Sequence, residues 1–354
     1  MSRNTQAKYG SSVMWVAASA AAMGVGYVIG CGYWKKNSRA VLDLDETYIP
    51  KELRHTPYSK ELRLAVRLAL EAGKRIKAYL DTKGTLKHST LECQTKSNVT
   101  DFATELDVQI EARIVEVIKR TFPSHNIIGE EMSESQQAIN INKAKAGLTW
   151  IIDPIDGTTN FCHGLPLTCV SLGLTDESGQ PVMGCVYAPA TDELFLAIKG
   201  CGAYRNCERI FANTYDIEKP INLSNAIVVF EFGYVYNDAE SIEKLVRAFS
   251  AVLKLGIRAS RCLGSGVLDL CYLACGKINA VYCGVANEAW KPWDYCAGML
   301  MIQEAQAVIT TLMDEQDDQA IPQFDIYAKS MIAATSKELV TELKCAIRQS
   351  QRII

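Results

Sequence analysis

No CxxC pair occurs anywhere in this chain of 354 residues, although it contains 13 cysteines. The scattered, odd-numbered set excludes a zinc ribbon and offers no disulfide framework, so the thiols read as reduced and mostly buried. Histidine is scarce as well. His55, His88, His125 and His163 show no metal-ligand spacing among themselves and are assigned structural roles. There is no long basic run and no basic stripe studded with aromatics, and 37 basic residues against 40 acidic ones leave a net charge of −3. Nucleic acid is therefore not an expected partner. Internal repeats and low-complexity tracts are also missing.

Apolar material is plentiful. With 48% hydrophobic residues the chain can build one large globular unit or two tightly joined lobes. Between Tyr9 and Trp34 there is no charged residue, and the stretch from Val13 to Tyr33 is long enough to cross a bilayer as a helix before Lys35 and Lys36 end it. The expectation is a tail over 1–12, a transmembrane anchor over 13–34, a linker over 35–57 containing Pro50 and Pro57, and a folded domain over 58–354. Ala22, Gly26 and Gly30 recur every four residues, a spacing that lets membrane helices approach closely. Single-pass membrane localisation follows, with the folded domain cytoplasmic. Lys35, Lys36 and Arg39 slightly outweigh Arg3 and Lys8, and free thiols suit a reducing compartment. Organelle targeting or a lumenal orientation is the rival reading.

Periodicity divides the rest. Leu62, Val66 and Leu70, with Ser59 as cap, predict a helix to Leu80. Leu106, Ile110, Ile114 and Ile118 predict another from Thr104 to Arg120, opened by Thr104 and Asp107 in a capping-box-like arrangement. The apolar run Leu148–Ile152 stops at Asp153 and Pro154 as a buried strand ending in a turn, and 167–175, 181–188 and 193–198 read as an antiparallel meander. Strands at 226–232, 278–283, 308–312 and 331–334 alternate with helices at 239–254, 266–275, 294–306 and 336–349, the pattern of layered α and β structure.

The run WIIDPIDGTTNF from Trp150 carries the chemistry. A strand delivers Asp153 and Asp156 into a turn, where two carboxylates can offer oxygen to a hard cation such as magnesium. Gly157, Thr158 and Thr159 follow and can open a helix whose free N–H groups receive a phosphate. Glu130 and Glu131 add acids after Ile127 and Ile128, and Asp294 after Trp293 adds another at a predicted helix start. Taken singly, each is an ordinary turn, surface pair or helix cap.

At these residues the chain resembles the inositol monophosphatase family, within the lithium-sensitive, metal-dependent sugar phosphatase superfamily. The matches are Lys96 with Asp101 and Thr104–Asp107, Gly129–Glu131, the run from Trp150, and Trp293–Gly298, within a resemblance from Leu62 to Arg348. The resemblance implies a layered α/β/α/β/α (α+β) sugar-phosphatase fold, a homodimer, two or three Mg2+ ions and lithium inhibition. It implies Glu130, Asp153 and the Ile155 carbonyl as ligands of a first ion that activates the attacking water, with Glu131 beside them. Asp153, Asp156 and Asp294 would hold a second ion that steadies the leaving oxygen. Thr158 would orient the water while Asp107 holds its hydroxyl, giving Glu130, Thr158 and Asp107 the catalytic roles. Substrate contacts fall to Gly157, Thr158 and Thr159, to Lys96 on a loop over the site, and to Ser265, since Gly264, Ser265 and Gly266 resemble the family's Gly-Ser/Thr-Ala segment.

The match departs from the family before Trp293. The usual aromatic-Glu-Gly segment, whose glutamate accepts substrate hydroxyls, is replaced by a longer stretch from Tyr282 in which Glu288 or Asn287 would take over, and Gln306 and Ala307 stand where two glycines are usual. The expected function is hydrolysis of inositol monophosphate, or of another small polyol or sugar phosphate, by a metal-activated water. The alternatives are a related phosphatase acting on 3′-phosphoadenosine 5′-phosphate, histidinol phosphate or a sugar bisphosphate, and, in another class, an inactive membrane-tethered scaffold.

Overall fold

The computed structural model describes residues 47–85, 93–95, 102–132, 147–213, 221–233, 238–286, 288, 290–313 and 323–352. The chain divides into Met1–Thr47 and Tyr48–Ile354, and the second unit builds the fold. Its helices α1 (Ser59–Thr82) and α2 (Glu105–Thr121) each bury one apolar stripe. At the start of α2, Thr104 Oγ accepts the Asp107 amide at 3.3 Å while Asp107 accepts the Thr104 amide at 3.1 Å, a complete capping box.

Both helices supply residues to a core with one face of a seven-stranded sheet. Its order is β3 (Asn126–Gly129), β4 (Thr149–Asp156), β5 (Cys169–Thr175), β6 (Pro181–Ala188), β7 (Glu193–Ile198), β8 (Gly202–Arg205) and β9 (Glu208–Ile210). Only β3 and β4 run parallel; the rest is the antiparallel meander. Strands β1 (Cys93–Thr95) and β2 (Phe102–Thr104) form a separate ribbon. The opposite face of the large sheet shares a second core with α5 (Gly266–Ala274) and α6 (Pro292–Glu304). Beyond these helices lies a five-stranded sheet ordered β11 (Ala259–Arg261), β10 (Ile227–Phe230), β12 (Ala280–Cys283), β14 (Met331–Ala334) and β13 (Val308–Thr310). A third core joins it to α4 (Ala239–Lys254) and α7 (Lys337–Gln351). The expected order of layers, α/β/α/β/α, is thus present.

Helix α6 is buried from Tyr295 to Ile302 because both faces meet a sheet. Its close approach needs glycine on the large sheet. Gly173 and Gly184 sit opposite one another across β5 and β6; a Cβ on Gly173 would collide with Cys296, and one on Gly184 would lie 3.1 Å from the Ala297 backbone. The helix begins at Pro292 rather than Asp294, since proline suits the first helical position, where its missing N–H costs nothing. Strands β1, β2, β3, β8, β9 and β11 were not anticipated; their three or four residues mix in polar or small ones and lack the apolar run that marks the equally short β10, β12 and β14.

Two expectations about the N-terminal region change. No helix among the described residues is long and apolar enough to cross a membrane, which corrects the predicted transmembrane helix and with it the single-pass membrane localisation. Helix α1 has the length, but Lys60, Glu61, Arg63, Arg67, Glu71, Lys74 and Lys77 make it amphipathic rather than lipid-compatible. The predicted span at 13–34 itself lies outside the described residues. Ile49 and Leu53, within the stretch read as linker, are buried in the first core.

Without its glycines, the turn after α6 places Gln306 at φ 64°, a left-handed conformation that costs a side-chain-bearing residue on the order of 1 kcal/mol. Gln306→Gly should therefore raise unfolding free energy by roughly 0.5 kcal/mol once glycine's extra unfolded-state entropy is deducted. Urea denaturation would register this as a higher midpoint at unchanged slope, and a lower midpoint would refute it.

Candidate active site

The parallel pair β3 and β4 ends at one edge of the large sheet, and both strands deliver acids there. The Glu130 amide donates to the Ile152 carbonyl at 3.1 Å, extending the pairing by one residue. On β4, residues three apart would face opposite sides of a regular strand. The register with β5 shifts between Asp153, which pairs with Ser171, and Asp156, which pairs with Cys169, so three steps on one strand match two on the other. This bulge at Pro154 and Ile155 turns Asp153 and Asp156 toward the same place, and proline is tolerated there because a bulge releases ladder positions.

Asp294 arrives from the first turn of α6, where its carboxylate accepts the Lys291 amide at 2.6 Å. Oxygens of Asp153, Asp156 and Asp294 all lie within 4.8 Å of one another. Asp153 is buried, and its Oδ1 has no hydrogen-bond partner. Burial first, and the charges of Glu130, Asp156 and Asp294 after it, hold the Asp153 carboxyl well above the usual range. Asp156 is pushed up to about 6 by burial, opposed mainly by the Ser265 hydrogen bond. Asp294 is raised by burial and then by Asp156. A buried carboxylate oxygen without a donor, among like charges, calls for a cation. The all-oxygen donor set fits a hard divalent ion such as Mg2+.

The other expected residues are distributed around this cluster. Glu130 hydrogen-bonds Asp153 through its side chain. The Ile155 carbonyl accepts the Thr158 hydroxyl at 2.9 Å. Gly157 holds φ 78° ahead of α3 (Thr158–His163), and a Cβ there would lie 2.7 Å from the Leu167 carbonyl, so only glycine makes this turn without strain. Thr159 Oγ1 is buried and has no partner. Asp107 is fully buried in its capping box with Thr104. Ser265 donates to Asp156 Oδ2, and the Val267 amide donates to the same oxygen at 3.1 Å, so Asp156 closes the N-terminus of α5. Glu288 is engaged locally: its carboxylate accepts the amides of Gly284, Val285 and Ala286 at 2.7, 2.8 and 2.5 Å and closes its own loop. Lys96 and Asn287 fall outside the described residues.

Several participants carried no signal that the sequence reading used. Glu111 on α2 is buried against Gly129, where a Cβ would strike its carboxylate, and it accepts the Glu131 amide at 2.9 Å. Its i,i+4 place with Asp107 on one helix face was the available clue. Cys169 is buried with its thiol 3.6 Å from Asp156 Oδ2; burial, then the Asp156 charge, pushes the thiol well up, so it stays a donor. Asn160 and Glu231 are further contributors.

Comparison with known proteins bears on this arrangement. A sequence model described as "Inositol monophosphatase family" matches residues 58–352. The chain is 35% identical over 286 residues to inositol monophosphatase 2 of Solanum lycopersicum, covering 81% of this chain and 98% of that protein. It is equally 35% identical over 250 residues to the Nus factor SuhB of Vibrio cholerae, covering 70% of this chain and 84% of that protein. Among solved structures, the inositol monophosphatase from Anabaena superposes with a TM-score of 0.61 at 27% identity, over 83% of this chain and 97% of that one. With nearly the whole folded unit matched and the acids of a hard-metal cluster drawn together in it, the chain belongs to the inositol monophosphatase family and is a metal-dependent phosphatase.

Proposed function

We propose that this enzyme hydrolyses inositol monophosphate, or a closely similar phosphate monoester of a small polyol, with Mg2+ as its ion. The observation that supports this most directly is the convergence of Asp153, Asp156 and Asp294 around an unpartnered buried oxygen. Glu130, Asp153 and the Ile155 carbonyl would hold one ion, and Asp153, Asp156 and Asp294 another. Bound there, Mg2+ would supply positive charge against the phosphate and lower the pKa of water.

The chain's own groups would do the rest. Asp153 would keep the two positions in register, because one carboxylate can offer an oxygen to each. Thr158, tethered to the Ile155 carbonyl, would orient the attacking water, with Asp107 supporting it from the start of α2. Gly157 and Thr158 amides, with the unpartnered Thr159 hydroxyl, would receive phosphate oxygens. Lithium inhibition and a homodimer belong to the same reading by family likeness. The alternative of an inactive scaffold has no support, since the acids it would have lost are present.

A second reading draws on Glu288. Its carboxylate is committed to three loop amides, so substrate hydroxyls would have to be read by other groups. Such a site suits a different alcohol, as in 3′-phosphoadenosine 5′-phosphate, histidinol phosphate or a sugar bisphosphate. Phosphate release with and without Mg2+, compared across those esters and inositol 1-phosphate, separates the two. A Mg2+-dependent preference for inositol 1-phosphate is expected; a higher kcat/KM for another ester would transfer the assignment, and no Mg2+ dependence with any ester would overturn both readings.

A further inference from the structure

The segment from Cys262 to Ser265, between β11 and α5, is gripped from both halves of the fold. From the five-stranded sheet, Glu231, one residue beyond β10, accepts the Leu263 amide at 2.8 Å, the Gly264 amide at 2.9 Å and the Cys262 thiol at 3.2 Å. From the large sheet's side, Asn160 of α3 extends its Nδ2 to the carbonyls of Leu263 at 2.7 Å and Gly264 at 3.1 Å, and to that of Leu167 at 2.9 Å. One side chain therefore takes the segment's N–H groups and the other its carbonyls. Gly264 is held at φ 71°, and a Cβ there would press on Asn160 at 3.1 Å. Below Glu231, Asp269 is fully buried, and burial followed by the Glu231 charge holds its carboxyl well above the usual range.

What this grip secures is Asp156. Ser265, the segment's last residue, and the amide of Val267, two residues on in α5, donate to Asp156 Oδ2 together with the Cys169 thiol at 3.6 Å. A carboxylate oriented by donors from a fixed segment and the helix that follows it presents its remaining oxygen in one direction. A loosened segment would let it rotate, and metal affinity depends on such supporting hydrogen bonds.

We infer that Glu231 and Asn160 are paired positioning residues that clamp the segment from Cys262 to Ser265 between the two sheets and so fix Asp156 for metal binding. The inference rests on Asp156 being a metal ligand, as proposed above. It gives these two residues a shared effect: once either grip is lost the segment is free, so losing the second adds little.

Isothermal titration calorimetry with Mg2+ alone, on the full chain, tests this in E231A, E231Q, N160A, the double variant E231A/N160A and D156N. E231A and N160A should each weaken Mg2+ binding roughly tenfold, and the double variant should resemble a single one rather than show the product of the two. E231Q keeps an amide oxygen for both backbone donors and should recover most of the affinity. Unchanged Mg2+ affinity in folded E231A, or independent effects that multiply in the double variant, would overturn the clamp. If circular dichroism shows E231A unfolded, N160A decides: a folded N160A with native affinity overturns it too. Intact Mg2+ binding in D156N would instead remove the ligand assignment, and the clamp with it, whereas loss in D156N alone would count against the clamp only.

Discussion

Asp153→Asn should lower kcat by at least about a thousandfold, the several kcal/mol expected when a proposed shared metal ligand is lost, while the protein stays folded. The same substitution should make the metal-free protein more stable. Asp153 is buried, its carboxyl is raised by burial and by Glu130, Asp156 and Asp294, and its Oδ1 has no donor. Above the pH at which Asp153 loses its proton, asparagine removes one charge from that group, and it brings an N–H₂ to face its acids. A higher melting temperature in EDTA combined with lost turnover is the expected pair, a trade of stability against function. Substantial residual turnover would end the shared-ligand assignment. A lower melting temperature would show that the carboxylate cluster is not strained.

Metal-free protein should also become less stable as pH rises from mildly acidic to neutral. Asp156 titrates near 6 in the folded protein, above its ordinary value of 3.8, and Asp153 and Asp294 lie well above theirs. Folding therefore raises these pKa values, so the folded state holds the protons more tightly. The contribution is fully present below the unfolded pKa near 4 and is lost as pH rises through about 6 for Asp156, and at higher pH for its two neighbours. Bound Mg2+ should reverse the trend by neutralising the acids, adding about 2.7 kcal/mol at a hundredfold excess over its dissociation constant, or roughly 5 °C for a domain of this size. Below pH 5, protons should compete with the ion and shrink its effect. Thermal melts in EDTA and in Mg2+ between about pH 5 and 8 check both halves; a melting temperature that climbs with pH in EDTA contradicts the first, and one indifferent to Mg2+ contradicts the second.

Long periodic elements were legible in advance because burial of one face imposes a repeat on the chain. Helix α4 was expected at the limits it has, and α1 within a residue or two of its limits, although Tyr58 rather than Ser59 is its cap. The short but apolar β10 and β14 left a trace too, whereas equally short strands with polar residues among them, such as β9 and β11, left none. Their backbones pair because neighbouring strands are already in place. The N-terminal stretch shows the reverse: the uncharged run from Val13 to Tyr33, ended by Lys35 and Lys36, has the length and composition of an anchor, yet no described helix is long and apolar enough to cross a membrane.

In the site, sequence by itself determined which acids are available and that Asp153 and Asp156 stand beside a turn, since residue identity and spacing are local properties. The tertiary structure decided which of them meet. A bulge on β4 aims two carboxylates to one side, and paired glycines on β5 and β6 admit the helix that brings Asp294. It also decided that Ser265 braces an acid and that the Glu288 carboxylate closes its own loop. Hydrogen-bond partners far apart in the chain are chosen by the packing of two sheets around α5 and α6, and a single sequence holds no record of those distances.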